Sequence, residues 1–238
     1  MKRSAAVAAA LLAAAAASAH DLITAESAQR YLEETRKWQA LAASSAPATG
    51  RAEAQYRIGA MLDEVRELLN RDLAAHGKVQ GLPSNYLVAE LLRHGAPLAW
   101  SEKLRRFTTN TQYFEQALGL APRGPRATDA GVRLLQGRFY DSFETDPLAA
   151  DEPWPRLAEQ IVLAEDLAAR DLQGNAREEV HFIGAILHAR ASLRAPDATS
   201  RRSHGRKARE SIATFEARYP DSLRSAVMPI LRDALGKN

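Results

Sequence analysis

Glu178 and His181 stand three residues apart, a spacing that puts a carboxylate and an imidazole on one face of a helix. Carboxylate-bridged metal centres in helical bundles use two such Glu-x-x-His pairs and two further glutamates. This chain carries a single one, Glu178-Glu179-Val180-His181, which argues against a di-metal centre. The His-Glu-x-x-His signature of zinc peptidases is absent. With no cysteine, serine is left as the nucleophile, and no Gly-x-Ser-x-Gly elbow positions one. Gly119 and Gly124 flank a turn and form no phosphate-cradling loop. The pairs Glu33-Glu34 and Glu178-Glu179 read as solvated helix faces. His20 would chelate copper only at or next to a mature N-terminus. These residues lead to the expectation of no catalytic group, no metal site and no cofactor.

The sharpest charge feature is the run Arg201-Arg202-Ser203-His204-Gly205-Arg206-Lys207-Ala208-Arg209. The pattern places it in a loop and the first turn of a helix. Cations there oppose the helix dipole, at about 0.3 kcal/mol each or more. Local helix stability therefore does not account for Arg201, Arg202, Arg206, Lys207 and Arg209. An anionic partner does, either a lipid phosphate or an acidic protein face. A solvated loop is the plainer alternative.

The elements that must carry these residues are helical. Apolar residues recur at three and four almost throughout, and β-branched residues never gather in alternating runs. The spacing predicts helices over 25–43, 51–75 and 85–93. A further helix is expected over 98–118 with a break at 108–111, and others over 129–143, 156–172, 176–194, 203–219 and 223–235. The segment 146–155, acidic and rich in proline, reads as a surface loop. Helices joined by short connections imply antiparallel hairpins stacked side by side.

Residues 1–19 are set apart. Lys2 and Arg3 precede an apolar run from Ala5 to Ala17, closed by the small-x-small pattern Ala17-Ser18-Ala19. This is the pattern of a cleaved secretory signal peptide. The run is shorter than the roughly 20 apolar residues that span a bilayer. The expected mature chain, 20–238, is a single all-α domain in the periplasm, held by core packing without disulfides. No acylated cysteine anchors it, and no second apolar run spans a membrane, so a soluble protein is expected. The net charge of +3 includes Lys2 and Arg3. The mature chain is then close to neutral and shows no affinity for nucleic acid on charge grounds.

Several helices share a pattern. Tyr56-Arg57-Ile58-Gly59-Ala60-Met61-Leu62 matches His181-Phe182-Ile183-Gly184-Ala185-Ile186-Leu187, and Leu134-Leu135-Gln136-Gly137-Arg138-Phe139-Tyr140 again holds a mid-helix glycine. Two helices end alike, at Phe215-Glu216-Ala217-Arg218-Tyr219-Pro220-Asp221-Ser222 and at Tyr113-Phe114-Glu115-Gln116-Ala117-Leu118-Gly119-Leu120-Ala121-Pro122. Here the chain resembles the tetratricopeptide (TPR) family, and its Phe-x-x-x-Tyr-Pro-Asp-Ser ending looks like the periplasmic branch. Pro122 and Pro220 stand about three periods of about 34 residues apart. The resemblance covers 178–222 best, 111–143 in part and 52–76 loosely. The glycine spacings are uneven, and 194–205 inserts a loop where the family has a tight turn.

The resemblance implies an irregular α-solenoid. Gly59, Gly137 and Gly184 would pack closely against hairpin partners. Glu178, His181, Ala185 and His188 would form one stripe facing a concave groove, and the matching residues Glu53, Tyr56, Ala60 and Asp63 would do the same in an earlier repeat. The function expected on this basis is that of a non-enzymatic scaffold, holding a protein or peptide partner in the groove, in cell-envelope assembly. Two alternatives stand beside it. One is an all-α periplasmic enzyme acting through a lone acidic residue. The other is a helical bundle holding a metal or small ligand with His181 and His188.

Overall fold

The computed structural model describes residues 22–236. The expected signal peptide, 1–19, and His20 lie outside the described residues. The described chain is mostly α-helical: α1 (Ala25–Ala42), α2 (Ala48–His76), α3 (Leu82–Arg93), α4 (Gln112–Leu120), α5 (Ala127–Tyr140), α6 (Trp154–Ala168), α7 (Gly174–Arg194), α8 (Ala198–Arg218) and α9 (Met228–Gly236). A 3-10 turn, Leu223–Val227, precedes α9. The strands β1 (Ala99–Ser101) and β2 (Arg106–Thr108) form a small hairpin. No described helix is long and apolar enough to cross a membrane. The chain divides into two compact units, one ending at Tyr113 and one starting at Phe114.

In the first unit, α1 starts at Thr24, whose hydroxyl accepts from the backbone N–H of Ser27 while the Ser27 hydroxyl accepts from that of Thr24. This reciprocal cap satisfies two donors that the helix leaves open. The helix α2 ends at Gly77, whose φ of 73° suits glycine and ends the helix cleanly. Tyr31, Leu32, Ile58, Leu62, Val65, Leu69, Leu87 and Leu91 close the core.

The helix expected over 98–118 does not form as one piece. Its first part is the hairpin, in register Ala99 to Thr108, Trp100 to Phe107 and Ser101 to Arg106. Asn70 on α2 explains this. Its amide donates to the Phe107 carbonyl at 2.8 Å and its carbonyl accepts from the Phe107 N–H at 2.9 Å. The side chain thereby meets both backbone groups of Phe107, whose ring is buried and packs edge-on to Trp100 at 5.1 Å. The helical pattern gives way to a long-range contact.

In the second unit α7 is central. It packs on α6 and α8, and also touches α5 and α9. Phe182, Ile183, Ile186 and Leu187 are buried in a core with Phe139, Leu157, Ile161, Leu167, Ile212, Phe215 and Leu231. The pairings His181 with Tyr219, Phe182 with Phe215 and His188 with His204 run α7 and α8 antiparallel.

The loop expected at 194–205 is instead a tight connection, Ala195-Pro196-Asp197, and α8 begins at Ala198. Asp197 caps it, accepting from the Ser200 N–H at 2.8 Å. The Arg201 guanidinium donates to the carbonyls of Ala195 at 2.7 Å and Pro196 at 3.3 Å, placing a cation at the C-terminal end of α7. Gly205 is buried, and a Cβ there would lie 3.6 Å from Ser192, so the first turns of α8 run close against α7. The Ser, Gly and Arg content hid the start of this helix, expected only from 203, because its stability there comes from capping and contact rather than propensity.

Candidate functional site

The side of α7 opposite its core residues forms the floor of a cleft. Arg177, His181, Gly184 and His188 follow helical spacing along that side. Ile161, Ala164, Glu165 and Ala168 of α6 make one wall, and Lys207, Glu210, Ser211 and Thr214 of α8 make the other. The space measures about 350 Å³, with Val180, His181, Gly184 and His188 contributing from α7. Its lining joins the apolar side chains of Ile161, Ala164, Ala168 and Val180 to polar ones from all three helices, the usual mixture in a binding cleft.

Gly184 creates this room. A Cβ built on it would meet no heavy atom within 4 Å. At Gly131 on α5, by contrast, a Cβ would come 3.0 Å from a Leu167 methyl of α6. The close helix contact expected at Gly184 is therefore not found, and the glycine faces open space. Gly184→Ala should raise the unfolding free energy by about 0.5–1 kcal/mol, the helical advantage of alanine over glycine. Gly131→Leu should lower it by about 1–3 kcal/mol through overpacking. Urea denaturation of both variants checks the pair; a destabilised Gly184→Ala would return that glycine to a packed contact.

One end of the cleft is bridged. The Lys207 ammonium of α8 reaches Glu165 of α6 at 2.5 Å, and His188 Nε2 lies 3.5 Å from the same carboxylate. Below this bridge His188 stacks on His204, ring centres 5.4 Å apart and planes at 28°, and Trp154 meets His204 edge-on. The two Nδ1 atoms are 3.1 Å apart, so one ring donates and the other accepts. Burial pushes His188 down to about 4; Glu165 opposes this, and His204 and Lys207 add to it. Burial lowers His204 as well. The Lys207 hydrogen bond holds the Glu165 carboxyl below its usual range. At neutral pH this end presents two uncharged imidazoles and a closed ion pair. A base near 4 takes up few protons at that pH, so His188 lies against the Glu165–Lys207 pair as a neutral ring.

At the other end His181 is half-buried and packs edge-on to Tyr219 at 6.0 Å. Burial, then the charges of Arg218 and Arg177, lower its pKa. No group of three or more histidine, aspartate or glutamate side chains among the described residues is arranged to hold a metal ion.

The expected groove residues divide. His181 and His188 line the cleft, although His188 is only 6% exposed. Ala185, placed on the same stripe, is fully buried in the core, so the exposed side of α7 is turned toward Gly184. Glu178 lies outside the cleft. It accepts from the Ser222 hydroxyl at 2.6 Å and from Arg224 at 2.8 Å. Glu179 accepts from Tyr140 at 2.5 Å and pairs with Arg224. This carboxylate pair is a latch on the segment after α8 and not a solvated face. Tyr56 and Asp63, expected to be accessible, are buried on α2, with Asp63 paired to Arg66. Glu53 pairs with Arg57 at 2.7 Å. All three belong to the first unit and Glu178, His181 and His188 to the second.

The basic run is helical and partly occupied. Arg201 caps α7, Lys207 bridges to Glu165, and Arg206 pairs with Glu210 at 2.9 Å. Arg202 and Arg209 are exposed. Sequence reasoning missed Glu165, Ser211, Thr214 and His204 as neighbours of the cleft. They come from α6 and α8, and no spacing along one helix reports a neighbour across two others. No protein-family model, curated protein or solved structure matches this chain.

Proposed function

We propose that this protein is an exported, non-enzymatic binding protein, and that a peptide segment of a cell-envelope partner docks in the α6–α7–α8 cleft. The supporting observation is the open floor at Gly184, walled by helices on both sides and lined by apolar and polar side chains together. Its volume suits one or two apolar side chains of a longer segment, with the rest crossing the rim. Stacked helix hairpins of the tetratricopeptide kind are part of this reading, and the antiparallel α7 and α8 are what such an array presents.

Selection of displayed random peptides on the full chain tests the cleft. Enriched peptides should bind the protein and lose binding to Gly184→Trp, whose indole occupies the floor. Circular dichroism and a melting curve establish that the variant folds, with Gly184→Met as a smaller block. Enriched peptides that bind both variants as well as the parent would overturn the cleft as the docking site. For export, N-terminal sequencing of protein recovered from the periplasm should begin at His20; an intact Met1 in the cytosol would overturn that part.

A further inference from the structure

The cleft is electrostatically lopsided. At the His188 end, Lys207 is neutralised by Glu165 and Arg206 by Glu210. At the His181 end, the flanking cations come from two helices. Arg177 lies one turn before His181 on the cleft side of α7, and Arg218 lies one turn after Thr214 on the cleft side of α8. Both guanidiniums are close enough to disfavour a charge on His181. The partner of Arg177 is Asp171, whose side chain is 86% exposed, a pair that water screens heavily. Arg218 is exposed and has no ion pair among the described residues. The imidazole nitrogens of His181 and the hydroxyls of Ser211 and Thr214 likewise have no hydrogen-bond partner there.

Hydroxyl and imidazole groups without a protein partner, beside an unpaired cation and next to the apolar side chains of Ile161, Ala164 and Ala168, fit one class of occupant. Resting on the peptide-docking reading, we propose that the partner segment is acidic and apolar. A leucine-like side chain fills the space over Gly184, and an adjacent aspartate or glutamate carboxylate is held between Arg177, Arg218 and His181. The carboxylate supplies acceptors for the guanidiniums and the hydroxyls at once. A basic segment would meet repulsion at this end and no free carboxylate, because Glu165 and Glu210 are already paired.

The peptides enriched on the full chain, and lost on Gly184→Trp, provide the probe. They should carry Asp or Glu next to Leu, Ile, Met or Phe. For one such synthetic peptide, changing its acidic residue to the amide should weaken binding about tenfold or more, as loss of a charge-assisted hydrogen bond does. Arg218→Gln in the protein should weaken the acidic peptide by a similar factor and leave the amide peptide unchanged. Arg218 is exposed, so this variant should fold like the parent. Raising the salt concentration should weaken only the acidic peptide. Cleft-dependent peptides that are neutral or basic, or an acidic peptide indifferent to Arg218→Gln, would overturn the inference while leaving the docking site in place. A selection yielding no peptide sensitive to Gly184→Trp would overturn both.

Discussion

Glu152→Ala should lower the unfolding free energy by about 3–5 kcal/mol, as breaking a buried ion pair does. Its partner Arg190 is completely buried on α7. The Arg190 guanidinium donates to Glu152 at 2.7 Å, to the Ser142 hydroxyl at 3.1 Å and to the Pro147 carbonyl at 2.5 Å. It lies 4.8 Å from the Phe139 ring centre and 5.3 Å from that of Phe143. Glu152 also accepts from Gln160 of α6, and Arg194 reaches the Ala150 carbonyl. The 141–153 connection is thus tied to α7 by two arginines. Removing the carboxylate strands a cation with no water to solvate it. Removing both charges does not, so Arg190→Met with Glu152→Leu should cost less than Glu152→Ala alone. Urea denaturation of the single and double variants measures the coupling. A double variant worse than Glu152→Ala would show that the bonds to Ser142 and Pro147, not the charge pair, hold the loop.

That ion pair shows what a sequence conceals. The residues of 146–155 announce an irregular surface loop; the chain is irregular up to Pro153, but α6 begins at Trp154, and Ala150 and the Glu152 side chain are buried. Nothing in them announces that the loop closes over a buried arginine from 38 residues further along. Along single helices the pattern was legible. The stripe of α2 from Ile58 to Leu69 is core as its period requires, and α7 carries its apolar side where Phe182, Ile183, Ile186 and Leu187 recur. Reading failed where one side chain changed the meaning of a distant segment. Asn70 turns a helical pattern into a hairpin. Asp197 and Arg201 turn a polar stretch into the start of α8.

The candidate site was half legible for the same reason. His181 and His188 are on one side of α7 by spacing alone, and both reach the cleft. Glu178 shares their helix but is drawn off by Ser222 and Arg224, residues beyond the end of α8. Gly184 stood out as a mid-helix glycine. Whether the missing side chain admits a helix or leaves a hole depends on the distance between α6 and α8, which no local pattern encodes. Lys207 stood out as one of a run of cations, yet its partner Glu165 sits on α6.

Between pH 6.5 and pH 4 the protein should lose about 3 kcal/mol of stability through His188 alone. Its folded-state pKa, pushed down to about 4, lies below the ordinary value of 6.5. The unfolded chain therefore binds this proton first. The stabilising contribution is fully present above pH 6.5, falls as acid is added, and is exhausted below pH 4. The groups facing the imidazole are Glu165 from α6 and His204 and Lys207 from α8. Glu165 favours the charged ring, but burial outweighs it and Lys207 already occupies that carboxylate. His181 and His204 are lowered too and add to the slope with the same sign. Glu165 and Glu178, both held below the carboxylate range, add theirs only once the pH falls below the unfolded value of about 4.3. The upper part of the window thus belongs to the histidines. His188→Gln keeps a polar side chain without the titration, so its unfolding free energy should fall less steeply with acid over that range. The His188 ring resonances should titrate with a midpoint near 4 while the fold persists. A midpoint near 6.5, or equal slopes for parent and variant, would mean that water reaches the stacked pair, and the Glu165–Lys207 bridge would then not close this end of the cleft.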